Sequence, residues 1–484
     1  MSEFRIFCIW EENKLMGLTI FDKETNLRVY FCGICGASML SLAVFTKLCG
    51  HFVMGSDISP TEQTIRTCKE HHIPLFFSHE SDNVEKCNIF VYTAAIGDDN
   101  PELIRARQIN NIRIFTRSEY LALVTDSFKV SVGISGTHGK STVTNMLSDI
   151  LLGYGCDVTM LAGAERNASN TLCGGAMRIG KSDTVVYEAC EYSRSFLDTH
   201  PSLAVILNVE REHTDVYPTL KSSEDAFFEF AKRSEICVLS RDCPTCNEIE
   251  KRLKSTETRV LTFSLSDQSA DVYARSLQKT HGRFVFDAVT HSDGVIEGIK
   301  LAVPGEHNVK NALAAITAAL ALGMLSNESA KSALQGFCGI KRRFEYIGNV
   351  QGADVYDDYA HHPTEIKATL NAAKELGYDR ILCAFQPHTY SRTYELFDGF
   401  VHSLSLCDEA VIADIFAARE KNVYGITGKD LADKLPNGKY IKSFDEIYSY
   451  LLASSHPKTL IITMGAGKMN LIAKRLVYGE EYLK

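Results

Sequence analysis

The segment GTHGKS, residues 136–141, lies between an apolar, β-branched run and a stretch with helical spacing. The run KVSVGIS at 129–135 predicts a buried strand, and STVTNMLSDILLG predicts an amphipathic helix that ends at Gly153. Glycines in such a turn let backbone N–H groups close around phosphate oxygens, and the start of the helix adds partial positive charge. The segment therefore predicts an α/β domain with a phosphate site at one edge of its sheet.

Two side chains of this turn suit a nucleoside triphosphate. Lys140 can reach the β- and γ-phosphates, and the Ser141 hydroxyl can ligate Mg²⁺. The strict P-loop spacing is not met, because five residues rather than four separate Gly133 from Gly139, and an ordinary glycine-rich turn is the alternative. We expect ATP or GTP, held by the candidate residues Gly136, Thr137, His138, Gly139, Lys140, Ser141 and Thr142.

Acidic residues and a histidine follow the next two predicted strands. Glu188 and Glu191 come after the first of these strands, and His213 comes after the second. Taken alone, each residue is more typical of a solvated carboxylate or a hydrogen-bonded loop histidine than of a metal ligand. Because the carboxyl ends of parallel strands meet at one edge of a sheet, the three residues are candidates for a magnesium site beside the phosphate loop.

Length and charge restrict the class of protein. The chain has 484 residues, of which 45% are apolar and 23% charged, so several domains are expected rather than one core. With 51 basic and 60 acidic residues the net charge is −9, which argues against nucleic acid or anionic lipid as a partner. The longest apolar stretch, 312–322, is shorter than the roughly 20 residues that a membrane span needs, and no signal peptide is expected.

Cysteine usage indicates the compartment. The 15 cysteines are an odd number and stand mostly in apolar contexts, which is typical of reduced thiols in a cytoplasmic protein. Cys243 and Cys246 form a lone CxxC motif, for which we expect two exposed thiols.

The same strand–turn–helix pattern occurs three times, which predicts an α/β fold of three domains. Residues 1–125 form a Rossmann-like domain that begins at LRVYFCGICG, with 1–28 as an extension of uncertain role. Residues 126–338 form a central P-loop ATPase domain with a mostly parallel sheet, a β-rich stretch at 258–303 and an Ala-rich helix. Residues 339–484 form a C-terminal Rossmann-like domain with strands at DVYDDYA, RILCAFQ, EAVIADI and TLIITMG.

Polar clusters follow two strands of the third domain, DDYAHHP at 357–363 and QPHTYSRT at 386–393. Together they supply carboxylates, histidines and Arg392, which could hold a substrate carboxylate through two hydrogen bonds. In the first domain GICGAS at 33–38 departs from GxGxxG, so close strand-to-helix packing and a phosphate-bearing ligand both remain open.

Taken in order, the motifs resemble those of the Mur ligase family: GICGASM, GSD, GTHGKST, YEACEYSRSFL, LNVEREHTD, PGEHNVKNALAA, RRFE, DDYAHHPTEI, FQPHTYSRT and MGAG. Among its members the chain is most similar to those that join L-alanine to UDP-N-acetylmuramate in peptidoglycan precursor synthesis, with ATP and Mg²⁺. The resemblance implies a UDP-sugar-binding domain, a central ATPase domain and a C-terminal domain that closes over the site and binds the amino acid. The oligomeric state, monomer or homodimer, is left open.

The resemblance implies a role for each matching position. Lys140 would contact the ATP phosphates, Ser141 and Glu188 one magnesium ion, and Glu188 with His213 a second. The remaining nucleotide contacts would be Asn308, Asn311, Arg343 and Asp358. The amino acid would be held by Tyr359, His361, His388 and Arg392, and the UDP-sugar by Gly33, Gly36, Ser56, Asp57 and Thr93.

At two positions the chain departs from its relatives. Later-acting Mur ligases carry a carbamylated lysine where this chain has Phe228, so no carbamate is expected. Many alanine-adding members have arginine where this chain has Thr389, so its carboxylate clamp would rest on Arg392. Selectivity among L-alanine, glycine and L-serine is therefore left open.

The implied reaction proceeds through an acyl phosphate, which the amine of L-alanine attacks while His361 or His388 acts as base or only orients the substrate. Two alternatives stay open: a recycling ligase that adds a peptide to the same nucleotide sugar, and a nucleotide-binding regulator without catalysis. We expect Lys140 to face solvent, so that Lys140→Ala abolishes turnover with little loss of stability.

Overall fold

The structure of the chain is a computed structural model, which describes residues 26–166, 175–214, 216–280, 282–418 and 420–480. Most of the predicted N-terminal extension, 1–25, lies outside these residues. The described chain divides into two compact units. Unit 1 holds the residues up to Tyr273 with Ala288–Ile296 and Asn311–Ala333, and unit 2 holds Ala274–Asp287, Glu297–Lys310 and the residues from Leu334 onward.

Unit 1 begins with a five-stranded parallel sheet in the order β3-β2-β1-β4-β5. Its strands are β1 (Arg28–Cys32), β2 (Phe52–Ser56), β3 (Leu75–Phe76), β4 (Ile89–Tyr92) and β5 (Arg113–Thr116). Its helices are α1 (Ala37–Leu48), α2 (Glu62–Glu70), α3 (Pro101–Gln108) and α4 (Arg117–Thr125). The strand order reverses between β1 and β4, and in such a sheet ligands bind at the carboxyl ends of the strands beside this point.

A larger, mostly parallel sheet follows along the chain. The strands are β6 (Val130–Ser135), β7 (Thr159–Leu161), β8 (Met177–Arg178), β9 (Thr184–Glu188), β10 (Leu203–Ile206), β11 (Ile236–Ser240), β12 (Arg259–Ser264), β13 (Val272–Thr280), β14 (Arg283–Thr290) and β15 (Gly294–Lys300). The helices are α5 (Lys140–Tyr154), α6 (Leu220–Ala231), α7 (Pro244–Leu253), α8 (Glu306–Ala321) and α9 (Asn327–Gly336). Within unit 1 the order is β13-β12-β11-β10-β6-β9-β7-β8, and β8 is antiparallel to its neighbour.

The sheet of unit 2 has the order β16-β17-β21-β18-β19-β20, in which only β16 is antiparallel. The strands are β16 (Glu345–Val350), β17 (Ala353–Asp358), β18 (Arg380–Phe385), β19 (Glu409–Ile412), β20 (Gly438–Tyr440) and β21 (Thr459–Met464). The helices are α10 (Pro363–Lys374), α11 (Tyr390–Glu395), α12 (Phe397–Leu404), α13 (Gly428–Lys434), α14 (Phe444–Ala453) and α15 (Asn470–Tyr478).

The buried strands explain the continuous apolar runs of the sequence. In β6 and β21 nearly every residue is buried, because both faces of a parallel sheet are covered by helices. The α/β class and the mostly parallel central sheet are confirmed, and the three sheets agree with the predicted three-domain architecture. Among the described residues, no helix combines the length and apolar character that crossing a membrane requires.

Candidate active site

The predicted phosphate loop connects β6 to α5. Gly136 has φ +138° and Gly139 has φ +89°, which are backbone conformations that residues with a Cβ atom rarely adopt. A Cβ atom at Gly139 would lie 2.7 Å from Asn311 Oδ1, so glycine also makes room for this amide. Of the two asparagines expected at the nucleotide, Asn311 therefore lies against the loop.

The residues that follow β10 hold this loop in place. Asn208 Oδ1 accepts a hydrogen bond from the His138 N–H at 2.8 Å, and Asn208 Nδ2 donates to the His138 carbonyl at 3.0 Å. The Asn208 carbonyl accepts from the Thr137 N–H at 3.0 Å. Glu210 donates its N–H to Thr137 Oγ1 at 2.9 Å. The loop conformation thus depends on the segment 208–210 as well as on its own glycines.

Lys140, the first residue of α5, is turned inward. Its Nζ donates to the Gly136 carbonyl at 2.6 Å and lies 3.0 Å from both carboxylate oxygens of Glu191. The Lys140 side chain is 17% exposed and that of Glu191 is 6% exposed. The expectation of a solvent-facing lysine is therefore wrong, because a buried carboxylate pairs with it.

The electrostatics of this pair follow from its burial. Burial alone would raise the pKa of Glu191, but the Lys140 ammonium and the nearby His213 ring outweigh it and hold the pKa at about 2. Burial alone would lower the pKa of Lys140, but the Glu191 carboxylate raises it above its ordinary value. Both groups are therefore charged at neutral pH.

Two carboxylates and a histidine gather beside this lysine. Glu191, Glu212 and His213 each place one potential ligand atom within 4.8 Å of the others, and His213 Nε2 lies 3.6 Å from Glu191 Oε1. Glu188, which was expected to share a metal with His213, lies outside this cluster. Its Oε1 accepts a hydrogen bond from the Gly163 N–H at 2.7 Å. Of the two glutamates, Glu191 rather than Glu188 lies beside His213 and Lys140.

The turn after β9 explains why Glu191, and not Glu188, approaches Lys140. The strand ends at Glu188, and Ser193 and Arg194 then adopt left-handed φ values of +53° and +58°. The Tyr217 hydroxyl donates a hydrogen bond to the Glu191 carbonyl at 2.6 Å and so stabilises the turn. Sequence spacing shows both glutamates near a strand end but does not show which one this turn directs toward Lys140.

The cluster has the chemistry that a divalent cation needs. Glu191 Oε2 is buried and accepts no hydrogen bond of good geometry from the described residues. Carboxylate oxygens are the ligands that Mg²⁺ prefers. Ser141 and Thr142 are half-buried in the first turn of α5, directly after Lys140. These residues fit a magnesium ion accompanying a bound nucleotide.

Four of the five residues expected to bind the UDP-sugar lie at the carboxyl ends of β1, β2 and β4. Gly33 has φ +80°, and a Cβ atom there would lie 2.6 Å from Thr93 Cγ2. Gly36 immediately precedes α1. Asp57 Oδ2 accepts a hydrogen bond from the Cys35 N–H at 2.9 Å. Gly33 and Gly36 thus belong to a strand-to-helix turn that contacts Asp57 and Thr93.

Ser56, the fifth residue, is turned into the domain and is fully buried. Its hydroxyl donates to Glu102 Oε2 at 2.6 Å and lies 3.0 Å from His79 Nδ1. Glu102 also accepts from the Tyr30 hydroxyl at 2.6 Å and from Asn83 Nδ2 at 2.9 Å. Burial would raise the pKa of Glu102, but these hydrogen bonds lower it. The Ser56 hydroxyl therefore supports the sheet internally and is not presented to a ligand.

In unit 2, Asp358 ends β17 and is buried. Its carboxylate accepts hydrogen bonds from Thr369 Oγ1 at 2.7 Å, the Phe344 N–H at 3.1 Å and the Ala360 N–H at 2.8 Å. Burial raises the pKa of Asp358 to about 6, although Arg343 and these hydrogen bonds favour the charged form. Three protein donors thus already occupy the carboxylate that was expected near the nucleotide ribose.

Arg343 and Asn308 are also bound within unit 2. Arg343 NH1 donates to Glu365 Oε1 at 2.9 Å, and its guanidinium lies 5.4 Å from the Tyr359 ring centre. Asn308 Nδ2 donates to the Pro304 carbonyl at 2.6 Å. Asn308 belongs to unit 2, whereas Asn311 belongs to unit 1.

The residues expected to hold the amino acid lie together after β17 and β18. The His361 and His388 ring centres are 5.8 Å apart, and the Tyr359 ring lies 5.2 Å from that of His361. Arg392 NH1 lies 3.1 Å from His388 Nδ1, and the Phe416 ring stacks on the His388 ring with their centres 5.7 Å apart. The structure thus brings Tyr359, His361, His388 and Arg392 into one cluster.

Hydrogen bonding assigns a different tautomer to each histidine. His361 Nδ1 lies 3.0 Å from the Tyr359 carbonyl, which can only accept, so the proton is on Nδ1 and the lone pair of the neutral ring is on Nε2. His388 Nδ1 faces Arg392, which can only donate, so its neutral ring carries the proton on Nε2. In their neutral forms the two rings therefore carry their lone pairs on different nitrogens, Nε2 in His361 and Nδ1 in His388.

Comparison with known proteins gives matches along most of the chain. Three family descriptions match: Mur ligase family, catalytic domain, at residues 28–129; Mur ligase middle domain at 134–319; and Mur ligase, glutamate ligase domain, at 342–467. The chain is 40% identical over 454 residues to the UDP-N-acetylmuramate–L-alanine ligase of Clostridium novyi, covering 92% of this chain and 96% of the relative. It is 39% identical over 471 residues to that of Acetivibrio thermocellus, covering 96% and 98%.

Solved structures agree with this result. The UDP-N-acetylmuramate–alanine ligase of Thermotoga maritima is 26% identical with a TM-score of 0.79, covering 95% of this chain and 100% of its own. A murein peptide ligase of Psychrobacter arcticus, 23% identical with a TM-score of 0.69 and covering 94% and 99%, shares the fold. Since the family descriptions span most of the chain and relatives near 40% identity extend over nearly all of it, the chain belongs to the Mur ligase family.

Proposed function

We propose that this chain is an ATP-dependent ligase that joins L-alanine to the carboxylate of UDP-N-acetylmuramate, as a step in making peptidoglycan precursors. The observation that carries the proposal is the 40% identity over 92% of the chain to a relative named for this reaction. The murein peptide ligase structure, at 23% identity, supports the fold alone and does not favour the recycling alternative. A nucleotide-linked substrate of this kind suits a cytoplasmic enzyme.

The chemistry requires that the carboxylate be activated, since a carboxylate is a poor electrophile at neutral pH. Attack of the muramoyl carboxylate on the γ-phosphate of ATP gives an acyl phosphate and ADP. In this proposal the N–H groups at the start of α5 and the Lys140 ammonium stabilise the negative charge of the transferred phosphate. To do so, the Lys140 ammonium exchanges part of its pairing with Glu191 for phosphate oxygens.

We propose that Glu191, Glu212 and His213 hold the Mg²⁺ that accompanies ATP, with Ser141 as a further oxygen ligand. Bound there, the ion would neutralise phosphate charge in the transferring group. The grouping of ligand atoms of Glu191, Glu212 and His213 within 4.8 Å of one another supports this assignment over one based on Glu188, whose Oε1 already accepts a hydrogen bond from the Gly163 N–H. Binding can be tested without turnover, since Glu191→Gln should weaken Mg²⁺ binding in calorimetry, whereas Glu188→Gln should leave it unchanged.

The second half of the reaction needs a base, because the alanine ammonium must lose one proton before its nitrogen attacks the acyl phosphate and a second as the amide forms. We assign this role to His361, whose Nδ1 donates toward the Tyr359 carbonyl and whose Nε2 carries the lone pair. Arg392 is proposed to hold the alanine carboxylate, and His388 to position Arg392 through their 3.1 Å contact. Release of phosphate then leaves the amide.

The proposed function is tested by phosphate release from ATP in the presence of UDP-N-acetylmuramate. L-alanine, glycine, L-serine and a muropeptide-derived tripeptide are supplied in parallel. The expected result is release that depends on L-alanine, and release with the tripeptide alone would overturn the assignment in favour of recycling. No release with any of the four would contradict a ligase.

The assignment of the base has its own matched pair of variants. His361→Gln is expected to lower kcat by about 10²–10⁴-fold and to remove the acidic limb of the pH profile, in which activity rises as the base loses its proton, with little change in the KM for L-alanine. His388→Gln should instead raise the KM for L-alanine and leave the shape of the pH profile unchanged. Equal effects of both variants on kcat would refute the separate roles.

A further inference from the structure

The CxxC motif does not form the exposed thiol pair that the sequence suggested. Cys243 is 9% exposed and Cys246 is fully buried. Cys243 directly precedes α7, and Pro244 is the first residue of that helix. The more accessible sulfur is thus at the helix start and the second cysteine lies in the first turn behind it.

Two features of this position favour a thiolate at Cys243. The Val209 N–H donates a hydrogen bond to Cys243 Sγ at 3.4 Å, and the start of a ten-residue helix adds partial positive charge. A hydrogen bond from the Cys246 thiol outweighs burial and, together with backbone N–H groups, lowers the pKa of Cys243 to about 6. The same contact raises the pKa of Cys246.

The motif is connected to the phosphate loop through a single residue. Val209, which donates to Cys243, stands between Asn208 and Glu210. Asn208 holds His138 with hydrogen bonds of 2.8 and 3.0 Å, and Glu210 holds Thr137 at 2.9 Å. A change at the Cys243 sulfur therefore acts on the centre of the segment that fixes the loop.

We propose that Cys243 and Cys246 form a reactive dithiol that a hydroperoxide converts to a disulfide, and that this disulfide weakens nucleotide binding at the loop. The dithiol chemistry stands on the geometry of 243–246 and its contact with Val209. Any effect of the disulfide on ligase activity rests in addition on the proposed function.

The oxidation balances in two steps. The Cys243 thiolate attacks one peroxide oxygen, the O–O bond breaks, and the leaving alkoxide or hydroxide takes a proton, so that sulfur becomes a sulfenic acid as the peroxide is reduced. The Cys246 thiol then gives up its proton and attacks the Cys243 sulfur. An S–S bond forms, the S–O bond breaks, and water leaves. Two thiols and one hydroperoxide give a disulfide, an alcohol or water, and a second water.

The bond itself is tested by peptide mapping of the full chain. Trypsin cleavage after Arg241 and Lys251 releases a peptide that contains both Cys243 and Cys246. After hydrogen peroxide and then iodoacetamide, this peptide should lack the mass of two hydrogens and carry no alkyl group, and dithiothreitol should reverse the change. Exposed Cys338 serves as an internal reference for the oxidant dose.

Two results would overturn the proposed bond. In the first, the peptide carries two alkyl groups at a peroxide dose that oxidises Cys338. In the second, Cys243 accumulates sulfinic acid while Cys246 is alkylated.

The effect on the loop is tested by nucleotide binding, which does not depend on ligase activity. Oxidised wild-type chain should bind an ATP analogue about fivefold or more weakly than reduced chain, measured by calorimetry. Cys243→Ser should be insensitive to peroxide, with Cys246→Ala as a second variant should the first not fold, and Cys338→Ser should respond like the wild type. A mapped disulfide with unchanged nucleotide affinity would refute the coupling, whereas absence of phosphate release from reduced chain would refute only the proposed function.

Discussion

Replacing Lys140 with methionine should destabilise the protein as well as stop catalysis. Methionine fills a similar volume but removes the ammonium that pairs with Glu191 and donates to the Gly136 carbonyl. The Glu191 side chain is only 6% exposed, so water cannot replace the lost partner fully. Lys140→Met therefore leaves a buried carboxylate without its ammonium.

The size of the effect follows from the pKa of Glu191. That pKa is lowered from 4.5 to about 2, and at about 1.4 kcal/mol per pKa unit the difference corresponds to about 3 kcal/mol. Because the pKa is depressed, this stabilisation is fully present above pH 4.5 and is lost as the pH falls toward 2. Removing one partner of a buried ion pair typically costs about 3–5 kcal/mol, which agrees with the value from the pKa of Glu191. At pH 7 we expect Lys140→Met to lose about 3 kcal/mol.

Urea unfolding at pH 7, followed by fluorescence and circular dichroism, measures this loss as a shift of the transition that contains unit 1. The double variant Lys140→Met with Glu191→Gln removes both charges and should be more stable than Lys140→Met alone. Since the chain has more than one unit, the midpoints of individual transitions are compared rather than one global free energy. Wild-type stability for Lys140→Met would refute the reasoning, as would a double variant no more stable than the single one.

Two further predictions concern a turn and a carboxylate. Gly33→Ala should lower the melting temperature and weaken UDP-sugar binding in calorimetry, because φ is +80° at this position and the new Cβ would lie 2.6 Å from Thr93 Cγ2. Gly36→Ala is the matched control, since the atom nearest to its new Cβ would be 3.9 Å away, and it should melt like the wild type. Asp358, whose pKa is raised from 3.8 to about 6, favours the folded state at low pH and loses that contribution as the pH rises through this window. Between pH 4 and pH 7 wild type should therefore lose about 2 kcal/mol relative to Asp358→Asn, and a constant difference in urea midpoints would contradict the burial argument.

The sequence predicted those parts of the molecule in which local chemistry determines local structure. GTHGKS predicts the turn between β6 and α5 because positive φ values at Gly136 and Gly139 and the helix start are local properties. The continuous apolar runs predict buried parallel strands for the same reason. Boundaries of the three predicted domains at 125 and 338 stay a prediction.

Features that depend on distant residues could not be predicted. Whether Glu188 or Glu191 approaches Lys140 is decided by a left-handed turn and by Tyr217, which follows it by many residues. Likewise the burial of Ser56 depends on Glu102, a residue of α3. The spacing of the two glutamates along the chain gives no such information, since either side chain could face solvent after the end of β9.

Glu102 has a consequence for how the first sheet opens. Its carboxylate accepts hydrogen bonds from Tyr30 of β1, from Ser56 of β2, and from Asn83 in the segment between β3 and β4, and Glu102 itself lies on α3. Withdrawing any one of these segments leaves a buried anion short of a donor. We therefore expect these segments to lose their amide protection together in hydrogen exchange, as one cooperative folding unit rather than strand by strand.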